Sequence, residues 1–175
     1  DNNKAFNNKS IKVETLAGII ISKVKDSRLI SVDMGPPIYT PENIPTLLPL
    51  NEFGIAEGNI KIDNQYLKVM AIGMGNPHMV IISNDLKNVP LSNWGSKLEK
   101  SSYFPSNTNV HFVKIKSRNK LEVLVWERGC GPTLACGTGA CASAVATNKI
   151  GLTDNEITVS LPGGDLEIGF KSNKS

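Results

Sequence analysis

The stretch that decides the fold reads 127-ERGCGPTLACGTGACASAVATNKIG-151. It opens on a Glu-Arg pair at the expected end of a strand and crosses a loop with glycines and a proline. It then reaches Cys136, at the mouth of an expected helix over about residues 138–149. From Gly129 to Asn148 no residue is charged, and the helical part is built of Ala, Ser, Cys, Val and Thr. A surface helix carries a polar face. This one has none, so it is expected to be buried on every side, with small side chains that let strands come close to its backbone. Gly151 suits the position after the helix end, where a left-handed conformation is usual.

The placement gives Cys136 chemistry. The first N–H groups of a helix lack intrahelical partners, and the dipole adds partial positive charge there. A thiol at that point is expected to ionise below the free value of about 8.5, and the thiolate is the reactive form. Gly137 and Gly139 leave the backbone unshielded, so N–H groups can face a carboxylate or phosphate. The plain alternative is an inert cysteine in a packing helix, because free cysteine is among the most buried residue types.

At 175 residues the chain is about one domain, and 40 % hydrophobic residues suffice for a core. A net charge of +3, with scattered basic residues and no basic stripe interleaved with aromatics, argues against nucleic-acid binding. No stretch is apolar and long enough to span a membrane, and the opening residues have no signal-peptide pattern. Cys130, Cys136 and Cys141 are odd in number and clustered, which is no disulfide framework. Their spacing fits no common zinc pattern, and only two histidines are available, so no metal is expected. A reducing compartment fits best.

Outward from the central stretch, strands are expected at 11–13, 18–25, 28–34, 66–74 and 79–82. Further strands at 110–115 and 121–126 form a hairpin across Ser117-Arg118-Asn119, and strands at 156–161 and 165–170 close over Pro162-Gly163-Gly164. Asp26-Ser27 reads as a turn. Prolines 36, 37, 41, 45 and 49 mark an extended connection. Residues 91–100 have helical spacing, with Leu91, Trp94 and Leu98 on one side. The packing expected is α+β, a curved mixed or antiparallel sheet wrapped around the buried central helix. The pattern does not give the strand order.

Taken together, Met74-Gly75-Asn76-Pro77-His78, Trp126-Glu127-Arg128-Gly129, Ala135-Cys136-Gly137-Thr138-Gly139-Ala140 and Leu161-Pro162-Gly163-Gly164 resemble the second half of the diaminopimelate epimerases. Asp33-Met34-Gly35 and Asn107-Thr108-Asn109 fall where that family has similar segments. The likeness covers nearly the whole chain, with its motifs in the family's order. The family's first cysteine segment, Cys-Gly-Asn-Gly, is absent, as is its usual opening run. The chain is therefore expected to be a fragment: residues 1–26 a remnant of the N-terminal domain, 27–170 the C-terminal epimerase domain, and 171–175 a polar tail.

The resemblance implies proton transfer at an amino-acid α-carbon by two cysteines, with no pyridoxal phosphate, no other cofactor and no metal. It makes Cys136 a proton acceptor and places the donor in the missing N-terminal domain. Gly137 and Thr138 would stabilise the substrate carboxylate. Asn76 and Asn109 would contact substrate, Arg128 would hold a carboxylate, Glu127 would recognise ammonium or tune the thiol, and His78 would adjust cysteine ionisation. Each has a plainer alternative. Asn before Pro is a common turn pair, and Asn109 near a strand start suits a turn or edge. An exposed Glu-Arg pair contributes little, and His78 could be a hydrogen-bonded structural histidine. Cys130 and Cys141 are read as structural.

The function expected is interconversion of LL- and meso-2,6-diaminopimelate, in the lysine and cell-wall precursor pathway. The setting would be cytoplasmic, or plastid in a plant. The partners are the small-molecule substrate and the missing domain, with a homodimer as one possible assembly. A proline racemase-like or phenazine-type isomerase is the alternative within the fold. The two asparagines and the Glu-Arg pair argue against it, since a second amino-acid end on the substrate needs that many polar partners. A noncatalytic carboxylate-binding module is the alternative outside catalysis.

Overall fold

The computed structural model describes residues 10–15, 18–25 and 29–170. The expected turn at Asp26-Ser27, most of the polar opening and the polar tail lie outside them. The chain divides into two compact units, residues 1–36 and 37–175.

In the first unit β1 (Ser10–Thr15), β2 (Gly18–Val24) and β3 (Ile30–Val32) form a three-stranded antiparallel sheet in that order. The pairing is fixed by Lys12↔Ile21 and Lys23↔Ser31. The Asp33 carboxylate accepts the Gly35 N–H at 3.0 Å, closing a short turn.

The second unit holds β4 (Ala56–Ile62), β5 (Gln65–Gly73), β6 (Pro77–Ile82), α1 (Leu91–Glu99), β7 (Asn109–Ser117), β8 (Lys120–Glu127), β9 (Gly131–Thr133), α2 (Gly137–Lys149), β10 (Glu156–Leu161) and β11 (Gly164–Gly169). The sheet runs β11-β10-β8-β7-β6-β5-β4, with β9 added to β8. Two pairs are parallel, β6 with β7 and β8 with β10. Parallel neighbours need a crossover, and α1 and α2 supply the two. Strands β4 and β9 were not expected from the sequence. Ile60 and Ile62 alternate with Asn59 and Lys61 on β4 as a half-buried strand requires, but the proline-marked region before it masked the signal.

Alternation sorts the strands between the helices. Val69, Ala71, Met79, Ile81, Val110 and Phe112 bury against Leu98 of α1 and Phe104. Apart from Ala71, each such side chain contributes about 1.5–3 kcal/mol when fully buried. Gly95 lets the indole of Trp126 lie on α1, where a Cβ would come within 2.6 Å of the ring. The alternate positions turn the other way, toward α2. That helix touches β5, β6, β7, β8, β10 and β11. Thirteen residues span about 20 Å, so a sheet touching them with six strands is curved around the helix, as expected. Residues 139–147 of α2 are all buried. The buried hydroxyls bond back along the helix: Ser143 donates to the Gly139 carbonyl at 2.8 Å and Thr147 to the Ser143 carbonyl at 2.9 Å. Polar side chains thereby sit in an apolar setting without orphaned groups. Among the described residues no helix is long and apolar enough to cross a membrane.

Candidate active site at the mouth of the central helix

Four chain segments converge at one end of the second unit's sheet. β6 and β7 run parallel and both start there, with His78 opposite Asn109. β8 is antiparallel to β7 and finishes there, Trp126 opposite Val110 and Glu127 last. The chain then turns at Gly129, whose φ of 76° suits glycine. It folds back on β8 as β9, Glu127 opposite Gly131. Three residues later Cys136 caps α2. The Leu134 carbonyl accepts the Gly163 N–H at 2.8 Å, and a Cβ on Gly163 would press to 3.0 Å from that oxygen. The glycine of the Leu161-Pro162-Gly163-Gly164 motif thus fixes the loop that delivers Cys136.

Every residue singled out from the sequence lies at this end. Asn109 is 4 % exposed, and its amide joins two of the segments. Its Nδ2 donates to the Pro77 carbonyl at 3.0 Å, and its Oδ1 accepts the Arg128 N–H at 3.0 Å. Among the described residues, one N–H and one lone pair of that amide have no partner. The exposed Arg128 guanidinium donates to the Ser106 carbonyl at 2.8 Å. Sequence reading missed Glu99, the buried residue under this loop. Its carboxylate accepts from Trp126 Nε1 at 2.7 Å and from the Gly129 N–H at 3.0 Å. Its place at the end of an amphipathic helix carried no signal of that role, since both partners lie about thirty residues on.

Cys136 takes the N-cap position with its sulfur accepting the Gly139 N–H at 3.4 Å and lying 3.5 Å from the Thr138 hydroxyl. The first helical N–H groups, those of Gly137 and Thr138, have no carbonyl one turn earlier. Gly137 is exposed, and a Cβ there would meet nothing. The expected lowering of the thiol pKa is not what this environment gives. Cys136 is 7 % exposed, and burial pushes the thiol up. The hydrogen bonds from Thr138 and Gly139 pull it down but do not outweigh burial, and the negative charge of Glu127 adds to the rise. Desolvation of a charged sulfur here exceeds what the helix end returns. Cys141 is buried, its thiol pushed up to about 11 by burial and then by the charge of Cys136. Cys130 is exposed.

Beneath the helix mouth lies an imidazole pair. His78 Nδ1 is 2.8 Å from His111 Nε2, and His78 Nε2 is 2.7 Å from Asn76 Oδ1. Both rings are fully buried. Burial holds His78 well below the ordinary histidine range, with the charges of His111 and Arg128 adding to this. It lowers His111 to about 3. Both are neutral near pH 7. Gly139 sits against His111: a Cβ there would lie 2.2 Å from Cε1. The sequence reading passed over His111. Its signal was its spacing, two residues after Asn109 and so on the same face of the strand. Two surface depressions lie elsewhere. One, of about 790 Å³, includes Tyr39, Leu48 and Pro105 in its wall; another, of about 480 Å³, includes Lys61, Tyr66 and Lys97. None of the residues singled out lines either.

The sequence pattern described as "Diaminopimelate epimerase" matches residues 70–175. A protein of that name from Prochlorococcus marinus (strain MIT 9313) is 53 % identical over 158 residues, covering 90 % of this chain and 52 % of the relative. One from Halothermothrix orenii is 46 % identical, covering 92 % and 58 %. The chain thus spans little more than half the length of these relatives. A crystal structure of a probable proline racemase from Agrobacterium radiobacter K84 superposes with a TM-score of 0.64 at 14 % identity, over 96 % of this chain and 54 % of that one. A hydroxyproline epimerase from Agrobacterium vitis gives 0.63 at 11 % identity, over 94 % and 52 %. These two likenesses establish the fold. With the same motifs assembled at one helix mouth, the chain belongs to the diaminopimelate epimerase family.

Proposed function

We propose that this chain carries one of two halves of an epimerase site that interconverts LL- and meso-2,6-diaminopimelate. The observation that carries the reading is Cys136 at the N-cap of α2, its sulfur held by the Gly139 N–H beside the open helix end. Epimerisation breaks the Cα–H bond on one face and forms a new one on the other. One sulfur, as thiolate, takes the proton, and the other, as thiol, returns one, so the atoms balance without a cofactor. The second sulfur is assigned, as the family likeness implies, to an N-terminal domain outside these residues.

The surroundings of Cys136 favour its thiol form in the free state. In that form it delivers the proton, and in the reverse direction it takes it back. The acceptor role that the family likeness implies is the one Cys136 plays in the direction where it starts as the thiolate. Negative charge gathers on the α-carboxylate as the Cα–H bond breaks. The Gly137 and Thr138 N–H groups are placed to hold it, and a lost donor of this kind typically costs about 10²–10³ in rate. Glu127 tunes the sulfur. Arg128, Asn76 and Asn109 gather toward the far amino-acid end of the substrate, where a guanidinium suits a carboxylate. The enzyme is proposed to act in the cytoplasm, without metal or cofactor, with a homodimer as one possible assembly.

The test is α-proton exchange in deuterated water by the intact natural protein and its Cys136→Ala variant. Loss of exchange in at least one substrate direction is expected for the variant. Wild-type exchange in both directions would overturn the role. Binding of diaminopimelate without exchange by the wild type would mark a carboxylate-binding module instead.

A further inference from the structure

We propose that His111 is a positioning residue that fixes which way the Asn76 amide faces, reserving Asn76 as a hydrogen-bond donor for a carboxylate of the substrate. The identification of that ligand rests on the epimerase reading above. The geometry of the chain does not.

Three groups stand in line, Asn76 Oδ1, the His78 ring and the His111 ring, with contacts of 2.7 Å and 2.8 Å. The line ends at His111 Nδ1, which is buried and has no hydrogen-bond partner among the described residues. Only two arrangements of protons complete both contacts with neutral rings. In the first, His111 Nε2–H donates to His78 Nδ1, and His78 Nε2–H donates to Asn76 Oδ1. The atom left over at His111 Nδ1 is then a bare acceptor. In the second, the amide is turned over, Asn76 donates to His78 Nε2, His78 Nδ1–H donates to His111 Nε2, and the atom left over is an N–H. The oxygen of Asn76, 2.7 Å from His78 Nε2, can only accept, so it needs a proton on that nitrogen, and only the first arrangement supplies one. The Nε2–H of His111, donated to His78 Nδ1, holds His78 in that tautomer.

The consequence reaches the site. With its oxygen held by His78, Asn76 presents both Nδ2 hydrogens outward, and among the described residues no acceptor takes them. It is half-buried, at the turn before β6, on the same imidazole chain that ends under Gly139 of α2. A free asparagine amide could serve an ammonium or a carboxylate equally well. This one is set to meet an oxygen. The selection is made at His111, whose ring is locked by Gly139: the ring fills the space that any side chain there would need. His111 touches no substrate and acts through His78.

Long-range proton–nitrogen correlation spectra of the intact natural protein, labelled with ¹⁵N-histidine, test this directly. His78 and His111 are assigned by difference with single variants. Both rings are expected as neutral Nε2–H tautomers at pH 7; an Nδ1–H signal from either overturns the proposal. Kinetics with diaminopimelate give the second readout. His111→Phe removes the donor to His78 and is expected to raise KM about tenfold, the worth of one hydrogen bond, with kcat little changed. His111→Gln, whose amide can donate from nearly the same point, is expected to recover most of that loss. Equal damage by both variants, or a fall in kcat alone, would mean a merely structural residue and overturn the proposal. Should the wild type prove inactive on diaminopimelate, the epimerase reading fails, and the tautomer spectrum still decides the orientation of Asn76.

Discussion

At Cys136 two effects of opposite sign meet. A helix end stabilises a nearby negative charge by about 0.3–1 kcal/mol at an exposed site. Taking a thiolate out of water costs more once the sulfur is nearly buried, and the carboxylate of Glu127 adds repulsion. The position of Cys136 in its motif could be read from sequence, because glycines and an uncharged helix follow it at once. Its protonation could not, because Glu127 is nine residues back and approaches only when β9 folds onto β8. The rate of alkylation by iodoacetamide against pH should therefore give a midpoint above the free value of about 8.5. In Glu127→Gln the negative charge is gone, so the midpoint should move down. A wild-type midpoint below the free value of about 8.5, or an upward move in the variant, would contradict this balance.

At the scale of the helix, absence of charge was enough to place α2 in the interior, and its glycines were read as openings for a ligand. That reading suits Gly137. It does not suit Gly139, which is needed by the protein itself. In a solvated helix Gly→Ala is stabilising by about 1 kcal/mol. At Gly139 the added methyl would stand 2.2 Å from a carbon of His111, a ring already held at Nε2 by His78. Overpacking of this kind costs about 1–3 kcal/mol and outweighs the propensity gain. Gly139→Ala should lower the urea midpoint accordingly, with little change in slope. Gly137→Ala, where a Cβ meets nothing, should leave it level or slightly higher. Equal midpoints for the two variants would show that the ring gives way. The same element-scale reading failed at β4 and at β9. The first follows a proline-marked connection that masked its alternation, and the second is three residues long, too short to show one.

For the second unit as a whole, strand order follows from two crossovers that no local pattern encodes. The order has a thermodynamic consequence. Laying β6 beside β7 places His78 opposite Asn109 and sets the two imidazoles in contact beneath α2. Each is depressed by burial, His111 to about 3, from an ordinary value of 6.5. Above pH 6.5 neither ring binds a proton in the folded or the unfolded chain, and the full stability is present. As pH falls below 6.5 the unfolded chain takes up protons that the folded one refuses. Stability is then lost at about 1.4 kcal/mol per pH unit for each ring, until the folded pKa is reached. The acidic side chains whose pKa is lowered, Asp63 and Asp85, behave alike in direction but start from 3.8, so they contribute only at more acid pH. The interval from pH 6.5 to 5 therefore isolates the histidines. Urea unfolding of the intact protein across that interval should show a falling midpoint, and His111→Gln, which removes one of the two rings, should fall about half as steeply. A midpoint level from pH 6.5 to 5 would mean that the rings are charged in the folded state, which the buried pair at 2.8 Å does not accommodate.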